Sequence, residues 1–233
     1  MLIMDLFEDG HQLFMKNSKY VSGFRVTCWR MNKMRHEKVD IIFQAAVQVF
    51  AESGFDQAKM DDIANVAGVA KGTIYYHFKS KEELFSALMD EGIESLIDCV
   101  KRNVSLYSNP IERLNALIHA QIQFFIENQK LAKLLLSEVF GTKERQQLFR
   151  KRIREYMQLI EQILQDGKES GELSVIHSHE LASAIFGAAS ILVLHKIYSF
   201  EGKELEIEDD SVTVMVETVR HLLFNSLMNS NQN

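Results

Sequence analysis

A single proline, Pro110, stands in this chain of 233 residues. Proline ends or kinks a helix at almost every position except the first turn, so its near absence lets helices form along most of the sequence. The 11 glycines are also few for this length. From residue 36 onward apolar residues recur with the helical period of 3.6, and strand-like alternation is nowhere sustained. The sequence therefore predicts an all-α protein.

Glycine, serine and asparagine mark where the predicted helices begin and end. The first helix has an apolar stripe at residues 39, 42, 43, 46 and 50, and Gly54 is expected to stop it. Ser80 with Glu83 forms a capping-box pattern, which opens a long helix toward residue 105. Asn109 is a predicted N-cap, with Pro110 at the first helical position. Other helices are predicted over residues 60–67, 70–78, 110–127, 129–140, 142–166, 179–200 and 210–228.

Composition and charge limit the class of protein. The formal net charge of −6 argues against a uniformly basic surface but allows a local basic face, because salt screens exposed charges beyond about 10 Å. The two cysteines are too few for a disulfide framework and lack metal-ligand spacing. No secretory signal is evident, and the apolar stretch around residues 185–194 is shorter than the roughly 18 residues of a membrane span. We therefore expect a cytoplasmic protein with no membrane partner.

Residues 1–35 differ from the rest of the chain, because their apolar residues have no clear period. We expect them to form an N-terminal extension. The codons for Trp29 and Arg30 can read TGG-AGG, which is similar to a ribosome-binding site, and Met31 and Met34 follow. We therefore hypothesise that the natural protein starts at Met31 or Met34 and lacks the first 30 residues. The intact mass of protein made from the native gene tests this hypothesis.

The segment GVAKGTIYYHF, from Gly68 to Phe78, concentrates aromatic and cationic side chains that a hydrophobic core does not need. As the second of two short helices joined by a tight turn, it would point residues 70, 74 and 78 inward. Hydroxyl and imidazole groups on the opposite face could reach base edges and phosphates of double-stranded DNA. That face would carry Thr73, Tyr76 and His77, with Lys71, Gly72 and Tyr75 at its edges.

Lys81 extends this predicted DNA-binding surface. It lies in the first turn of the helix capped by Ser80, where the helix dipole disfavours a cation. A phosphate bound at that end of the helix would reverse the sign of the interaction. We therefore predict that Lys81 contacts a DNA phosphate. The alternative is a solvated surface lysine.

The pattern FAESGF…MDDIANVAGVAKGTIYYHFKSKEELF resembles the N-terminal domain of the TetR family of transcriptional regulators over residues 36–96, with a helix-turn-helix motif at 59–78. The resemblance implies a three-helix DNA-binding domain, followed over residues 97–229 by a larger helical ligand-binding and dimerisation domain. It also implies a regulator, usually a repressor, that a small molecule releases from DNA. Carried over position by position, it assigns DNA contacts to Lys71, Gly72, Thr73, Tyr75, Tyr76, His77 and Lys81.

Two positions depart from the family pattern. Lys59 stands where a threonine often caps the first helix of the motif, and Ala70 stands where serine is favoured, so both side-chain caps are missing. Asp61 and Asp62 partly restore a favourable interaction with the dipole of that first helix. Lys59 could still contact a phosphate.

The C-terminal part of the chain predicts a homodimer. The segment ELASAIFGAASILVLHKIY is apolar around most of its circumference, with Ser183, Gly187 and Ser190 on one narrow face. The last helix has an apolar stripe at Val212, Met215, Val219 and Leu222. Two such helices per subunit suit a two-fold four-helix interface, although a helix buried within one subunit gives the same pattern. A dimer would present two recognition helices about 34–36 Å apart, so we expect a pseudo-palindromic operator.

A candidate effector pocket surrounds Gln121. This residue shares a helix face with Leu114, Ile118 and Phe125, so it places an amide in an apolar stripe. Its partner could be a ligand, the backbone or water. With Gln121, an apolar cavity could be lined by Phe124, Phe125, Tyr156 and Met157, although such stripes usually form the core. An apolar effector of the fatty-acid or multidrug type would suit this interior.

The sequence offers no catalytic residue, metal site or cofactor motif. His177 and His179 are too closely spaced to form a metal site by themselves, and no Gly-rich phosphate loop, nucleophile elbow or HExxH motif is present. A helical adaptor that kept this fold without sequence-specific DNA binding is the better alternative. The cationic and aromatic residues around Tyr75 and Tyr76 favour DNA binding, because an adaptor does not need them.

Overall fold

The structure, a computed structural model, describes residues 37–138, 143–199 and 209–227. The secondary-structure elements in these residues are all helices, which confirms the all-α prediction. The helices are α1 (Glu37–Gln57), α2 (Met60–Ala67), α3 (Lys71–His77), α4 (Lys81–Val104), α5 (Pro110–Glu127), α6 (Gln129–Ser137), α7 (Lys143–Glu169), α8 (Ser178–Ser199) and α9 (Asp209–Leu227). The predicted extension over residues 1–35, with both candidate start codons, lies outside the described residues.

The end of α1 is built around Gly54. This residue leaves helical geometry at φ 74° and ψ 162°, values that glycine adopts with little steric cost, and one further turn follows. The Phe55 ring then packs on the ring of Phe85 in α4, with centroids 4.9 Å apart, and on Phe50 at 5.8 Å. The predicted helix stop is therefore a kink, which directs an aromatic side chain onto α4.

The predicted tight turn between α2 and α3 is formed by a left-handed glycine. Gly68 has φ 65° and ψ 28°, and the backbone N–H of Val69 donates to the Ala64 carbonyl at 3.1 Å. Ile63 of α2 and Ile74 of α3 are fully buried. These contacts hold α3 in place from its inner side and leave its other side open.

The predicted N-caps of α4 and α5 are confirmed. The backbone N–H of Glu83 donates to Ser80 Oγ at 3.2 Å. Asn109 Oδ1 accepts from the backbone N–H groups of Ile111 and Glu112 at 2.9 and 3.1 Å. The capped helix α4 runs without interruption through residues 96 and 97, where the sequence predicted a domain boundary. It is therefore shared by the N-terminal helices α1–α3 and the larger C-terminal unit.

In the C-terminal unit, α5 is central and packs against α4 and α6–α9. A bidentate ion pair fastens α4 to α7: Arg152 Nε lies 2.6 Å from Asp90 Oδ1, and one terminal nitrogen donates to Asp90 Oδ2 at 3.0 Å. The Arg152 guanidinium holds the pKa of the Asp90 carboxyl below its ordinary value. α6 also packs against α1, so the two units touch at a second place besides α4.

By length and composition alone, α8 could cross a membrane. The expectation that the apolar stretch is too short does not hold for the whole helix, because Leu181, Ala182 and Ala184 extend its apolar part before residue 185 and Ile197 extends it after residue 194. Core helices of soluble proteins meet the same criterion. One face of α8 packs into the subunit through Ala182, Ile185, Ala189, Val193 and Ile197.

Candidate nucleic-acid interface

The outer face of α3 exposes the side chains that the sequence singled out. Tyr76 is 84% exposed, Tyr75 is less so, and Lys71 and Gly72 are also exposed. Thr73 and His77 are half-buried beside them. The rings of Tyr76 and His77 meet edge to face, with centroids 5.1 Å apart. The structure therefore brings all six predicted residues of this helix to one surface patch.

Gly72 leaves free space above the backbone of α3. A Cβ atom built on this residue would have no heavy atom within 4 Å outside its immediate surroundings in the helix. Packing within the subunit therefore does not require glycine here. The missing side chain lets another molecule come close to the helix backbone.

Lys71 forms an ion pair within the motif. Its Nζ donates to Asp61 Oδ2 of α2 at 2.8 Å, and this hydrogen bond raises the pKa of the Lys71 ammonium. The same Nζ lies 5.9 Å from the centre of the Tyr75 ring, at the outer limit of a cation–π contact. Lys71 therefore remains charged and lies beside the exposed tyrosines.

The two side-chain caps predicted to be missing are missing. Lys59 at the N-cap of α2 and Ala70 at the N-cap of α3 have extended backbones and make no side-chain capping hydrogen bond. Asp61 and Asp62 both lie in the first turn of α2. Lys59 is exposed, so its ammonium can reach an outside partner.

Lys81 donates to backbone carbonyls of its own chain, whereas the sequence predicted that it contacts a DNA phosphate. Its Nζ donates to the carbonyl oxygens of Phe55, Asp56 and Ala58 at 2.7, 3.1 and 3.0 Å. It also lies 4.5 Å from the centre of the Phe55 ring. An ammonium has three protons, and these three acceptors use them all. Because the carbonyls sit at the negative end of α1, they offset the unfavourable position of Lys81 at the start of α4.

A closed polar network lies in the C-terminal unit, where the sequence predicted an effector pocket. Gln121 is fully buried on α5; its Oε1 accepts from the Tyr156 hydroxyl at 2.8 Å, and its Nε2 donates to Ser190 Oγ and the Phe186 carbonyl at 3.2 Å. Burial raises the pKa of the Tyr156 hydroxyl, which therefore stays protonated. Phe124, Phe125 and Met157 are buried in the same core. The structure thus joins Gln121 and Tyr156, and each has a partner within the protein.

Comparison with known proteins identifies the family. The model of the bacterial regulatory proteins of the tetR family matches residues 42–88, and that of a tetracyclin repressor-like C-terminal domain matches residues 107–193. The fatty acid metabolism regulator protein of Bacillus subtilis (strain 168) is 30% identical over 142 residues, which cover 60% of this chain and 73% of that protein. The chain belongs to the TetR family. Like other TetR-family proteins, it is a ligand-responsive transcriptional regulator that binds double-stranded DNA as a homodimer.

Solved structures of TetR-family regulators are similar over most of the chain. A putative fatty acid metabolism regulator of Clostridium perfringens is 33% identical with a TM-score of 0.70, covering 79% of this chain and 97% of that one. FadR from Bacillus subtilis, solved in complex with stearoyl-CoA, is 26% identical with a TM-score of 0.67, covering 77% of this chain and 96% of that one. Membership in this family of DNA-binding regulators does not support the adaptor alternative.

The structure corrects the surface that the sequence assigned to the dimer. Val212, Met215 and Val219 are buried in the core of the TetR-family subunit, and Ser190 binds Gln121 there, so these four present almost no surface to a second copy. Leu222 and Ser183 are exposed, and Gly187 has open space above it. The outward faces of α8 and α9 instead present apolar side chains that are each at least 60% exposed: Ile191, Tyr198, Val214 and Leu222.

The sequence could not separate the two faces of α8, because apolar residues surround this helix. On α9, the sequence assigned the dimer interface to an apolar stripe, most of which the structure buries in the subunit core. The available sequence signal was Val214, which lies outside the predicted stripe, because apolar residues on a second face of a helix favour a second packing surface. Within the described ranges, no group of three or more His, Cys, Asp or Glu residues could hold a metal ion.

Proposed function

We propose that this TetR-family protein is a cytoplasmic repressor that binds a pseudo-palindromic operator through α3 of both subunits and is released by a long-chain acyl-CoA. The observation that carries this proposal is the exposed face of α3, with Tyr76 at its centre and Lys71 and Gly72 beside it. The function needs no catalytic step, and the known relatives are regulators.

Docking of α3 in the major groove fits the chemistry of its outer face. Tyr76 and Thr73 offer hydroxyl groups to base edges, and the open backbone at Gly72 allows close approach of the DNA. Lys59 and Lys71 are exposed cations that suit phosphate oxygens. Lys81 is left out of this set, because its three donors already bind carbonyl oxygens of the protein.

A long-chain acyl-CoA as effector is supported by two observations. The relatives named above include fatty acid metabolism regulators, and one structure contains stearoyl-CoA. In addition, the core around Gln121 is aromatic and aliphatic, which suits an acyl chain. We propose that the acyl chain of the effector enters between α5, α7 and α8 and separates Gln121 from Tyr156 or Ser190. The broken hydrogen bonds would then favour a different packing of these helices.

Fluorescence anisotropy tests both halves of the proposal. A labelled duplex from upstream of the gene and a random duplex are titrated with the dimer at two salt concentrations. We expect tight, salt-sensitive binding that favours the upstream duplex. Tyr76→Ala should cost about 1–3 kcal/mol on that duplex and much less on random DNA. Equal losses on both would show that Tyr76 positions the protein and does not read sequence.

The effector is tested on the preformed complex. Stearoyl-CoA is expected to release the DNA at concentrations at which neither stearate nor CoA has an effect. If all three leave the complex intact, the acyl-CoA assignment is wrong while DNA binding stands. If the upstream duplex is not preferred, selection from a random DNA library separates a distant operator from a protein without sequence preference.

A further inference from the structure

The ion pair between Lys71 and Asp61 lies on the surface that faces DNA in the proposed complex. Lys71 Nζ and Asp61 Oδ2 are 2.8 Å apart, and the two side chains are 63% and 52% exposed. A pair this open to solvent is weak and exchanges partners easily. Lys71 Nζ also lies over the Tyr75 ring, 5.9 Å from its centre, next to the residues proposed to read DNA. An incoming phosphate can therefore reach the same ammonium that Asp61 now holds.

We propose that Asp61 competes with DNA phosphate for Lys71 and thereby lowers the affinity of this regulator for DNA of any sequence. This inference rests on the proposed docking of α3 on DNA. A phosphate that contacts Lys71 must either displace the carboxylate or lie beside it. Displacement breaks a charged hydrogen bond, and the second arrangement places two anions close together. Both reduce the electrostatic gain of binding.

The competition acts on the part of DNA binding that does not depend on sequence. Contacts from lysine and arginine to phosphate provide most of the affinity for non-specific sites, which vastly outnumber an operator in a genome. A cation that is already paired contributes less to this background affinity. The contacts of Tyr76 and Thr73 with bases do not involve Asp61. Asp61 therefore limits how strongly the regulator is held by DNA that lacks its site.

A neighbouring residue provides a matched control. Asp62 lies in the same first turn of α2 and is also exposed, but it forms no ion pair with Lys71 among the described residues. Asp61→Asn and Asp62→Asn remove the same charge from nearly the same place, so a difference between the variants reports on Lys71. Thermal unfolding of each variant checks that the fold is retained.

The measurement is the anisotropy of a random duplex at four salt concentrations between 50 and 200 mM, a range in which one phosphate contact changes affinity about threefold. Asp61→Asn is expected to bind about 3–10-fold more tightly than wild type at the low end, with a salt slope steeper by about 0.9 per subunit. The increases in affinity and in salt slope should be less than half as large for Asp62→Asn. In a Lys71→Ala background, the two aspartate variants should bind equally.

Three results distinguish failure of this inference from failure of the docking proposal. If Lys71→Ala binds random DNA with the affinity and salt slope of wild type, Lys71 does not meet DNA and the docking of α3 is wrong at that residue. If Lys71→Ala weakens binding but Asp61→Asn and Asp62→Asn behave alike, competition is overturned and docking stands. If Asp61→Asn binds more weakly than wild type, Asp61 positions Lys71 for DNA and the competition has the opposite sign.

Discussion

Lys81 shows how the partner of one side chain decides its role. Its position at the start of α4 looked unfavourable for a cation, and a phosphate was the partner that sequence reasoning supplied. The structure supplies three carbonyl oxygens at the end of α1, which lie 23–26 residues earlier in the chain. These acceptors belong to a contact between two helices, and no local pattern indicates it. Lys81 therefore joins the end of α1 to the start of α4.

Lys81→Ala is expected to lower the free energy of unfolding by about 1.5–3 kcal/mol, because hydrogen bonds from a charged donor to partly buried carbonyls are lost. The salt slope of DNA binding should stay as in wild type. Chemical denaturation and anisotropy measure the two quantities. Lys79→Ala is the control, since Lys79 is exposed and should change stability by less than about 0.5 kcal/mol. Unchanged stability with a shallower salt slope would restore the phosphate contact.

Gln121 is a buried amide whose hydrogen-bonding groups are all used. The sequence identified it as a polar residue in an apolar stripe, and the structure shows Tyr156, Ser190 and Phe186 as its partners. A buried polar group left without a partner costs more than the hydrogen bond is worth, whereas replacing both partners with apolar groups costs little. The unit around Gln121 should therefore lose more stability when one partner of a hydrogen bond is removed than when both partners are replaced by apolar groups.

Tyr156→Phe should destabilise the protein by about 1–3 kcal/mol, because Gln121 Oε1 loses its donor in the core. Adding Gln121→Leu should recover most of this loss, since Ser190 can then bond to the Phe186 carbonyl one turn earlier in its own helix. Urea denaturation of both single variants and the double variant measures the recovery. A double variant whose loss equals the sum of the two single losses would contradict the network.

Helix ends were predicted well, and the outward face of a helix was not. Ser80 and Asn109 act on N–H groups two or three residues ahead, so their chemistry can be read from the local sequence. The burial of Val212 depends instead on how α9 meets the rest of the C-terminal unit. The same applies to the pair of Asp61 with Lys71, whose members are ten residues apart on different helices. Such contacts need the fold before they can be seen.

For α3, Gly72→Ala separates stability from DNA binding. Gly72 is the second residue of α3, and alanine there is expected to stabilise this protein by about 0.5 kcal/mol, because alanine loses less backbone entropy than glycine on folding and the added Cβ meets no atom beyond the nearby backbone of its own helix. On DNA, the same methyl group should weaken binding, because it fills the space where the backbones approach. Thermal unfolding and operator anisotropy check the two effects. Ala70→Ser is the control, since it should stabilise α3 by about 1 kcal/mol through an N-cap without a Cβ at residue 72. Operator affinity that is unchanged in Gly72→Ala would contradict close docking.

In the whole molecule, the apolar faces of α8 and α9 are expected to form the dimer interface. Ile191 and Leu222 are both largely exposed in one subunit, and a two-fold axis brings each face against its own copy. The interface is then formed by the side of each helix that the subunit core leaves uncovered. It also leaves Ser190 to its role beside Gln121.

Ile191→Glu should therefore make the protein monomeric, because a carboxylate would be buried opposite its symmetry mate. Light scattering measures the mass, and operator affinity should fall at least 100-fold because the two recognition helices no longer bind together. Ile176→Glu is the control: Ile176 is 81% exposed in the segment between α7 and α8 and belongs to neither helix of the proposed interface. A dimeric Ile191→Glu protein would place the interface elsewhere.

The unbroken course of α4 has a mechanical consequence. Its 24 residues span about 36 Å, with Lys81 fixing one end to α1 and Arg152 holding Asp90 near the middle. A rod of this length converts rotation into displacement: a tilt of about 10° swings one end about 6 Å relative to the other. The two-fold axis doubles any change in the separation of the recognition helices. A shift in helix packing too small to disturb the core can therefore move the paired α3 helices out of register with successive turns of DNA.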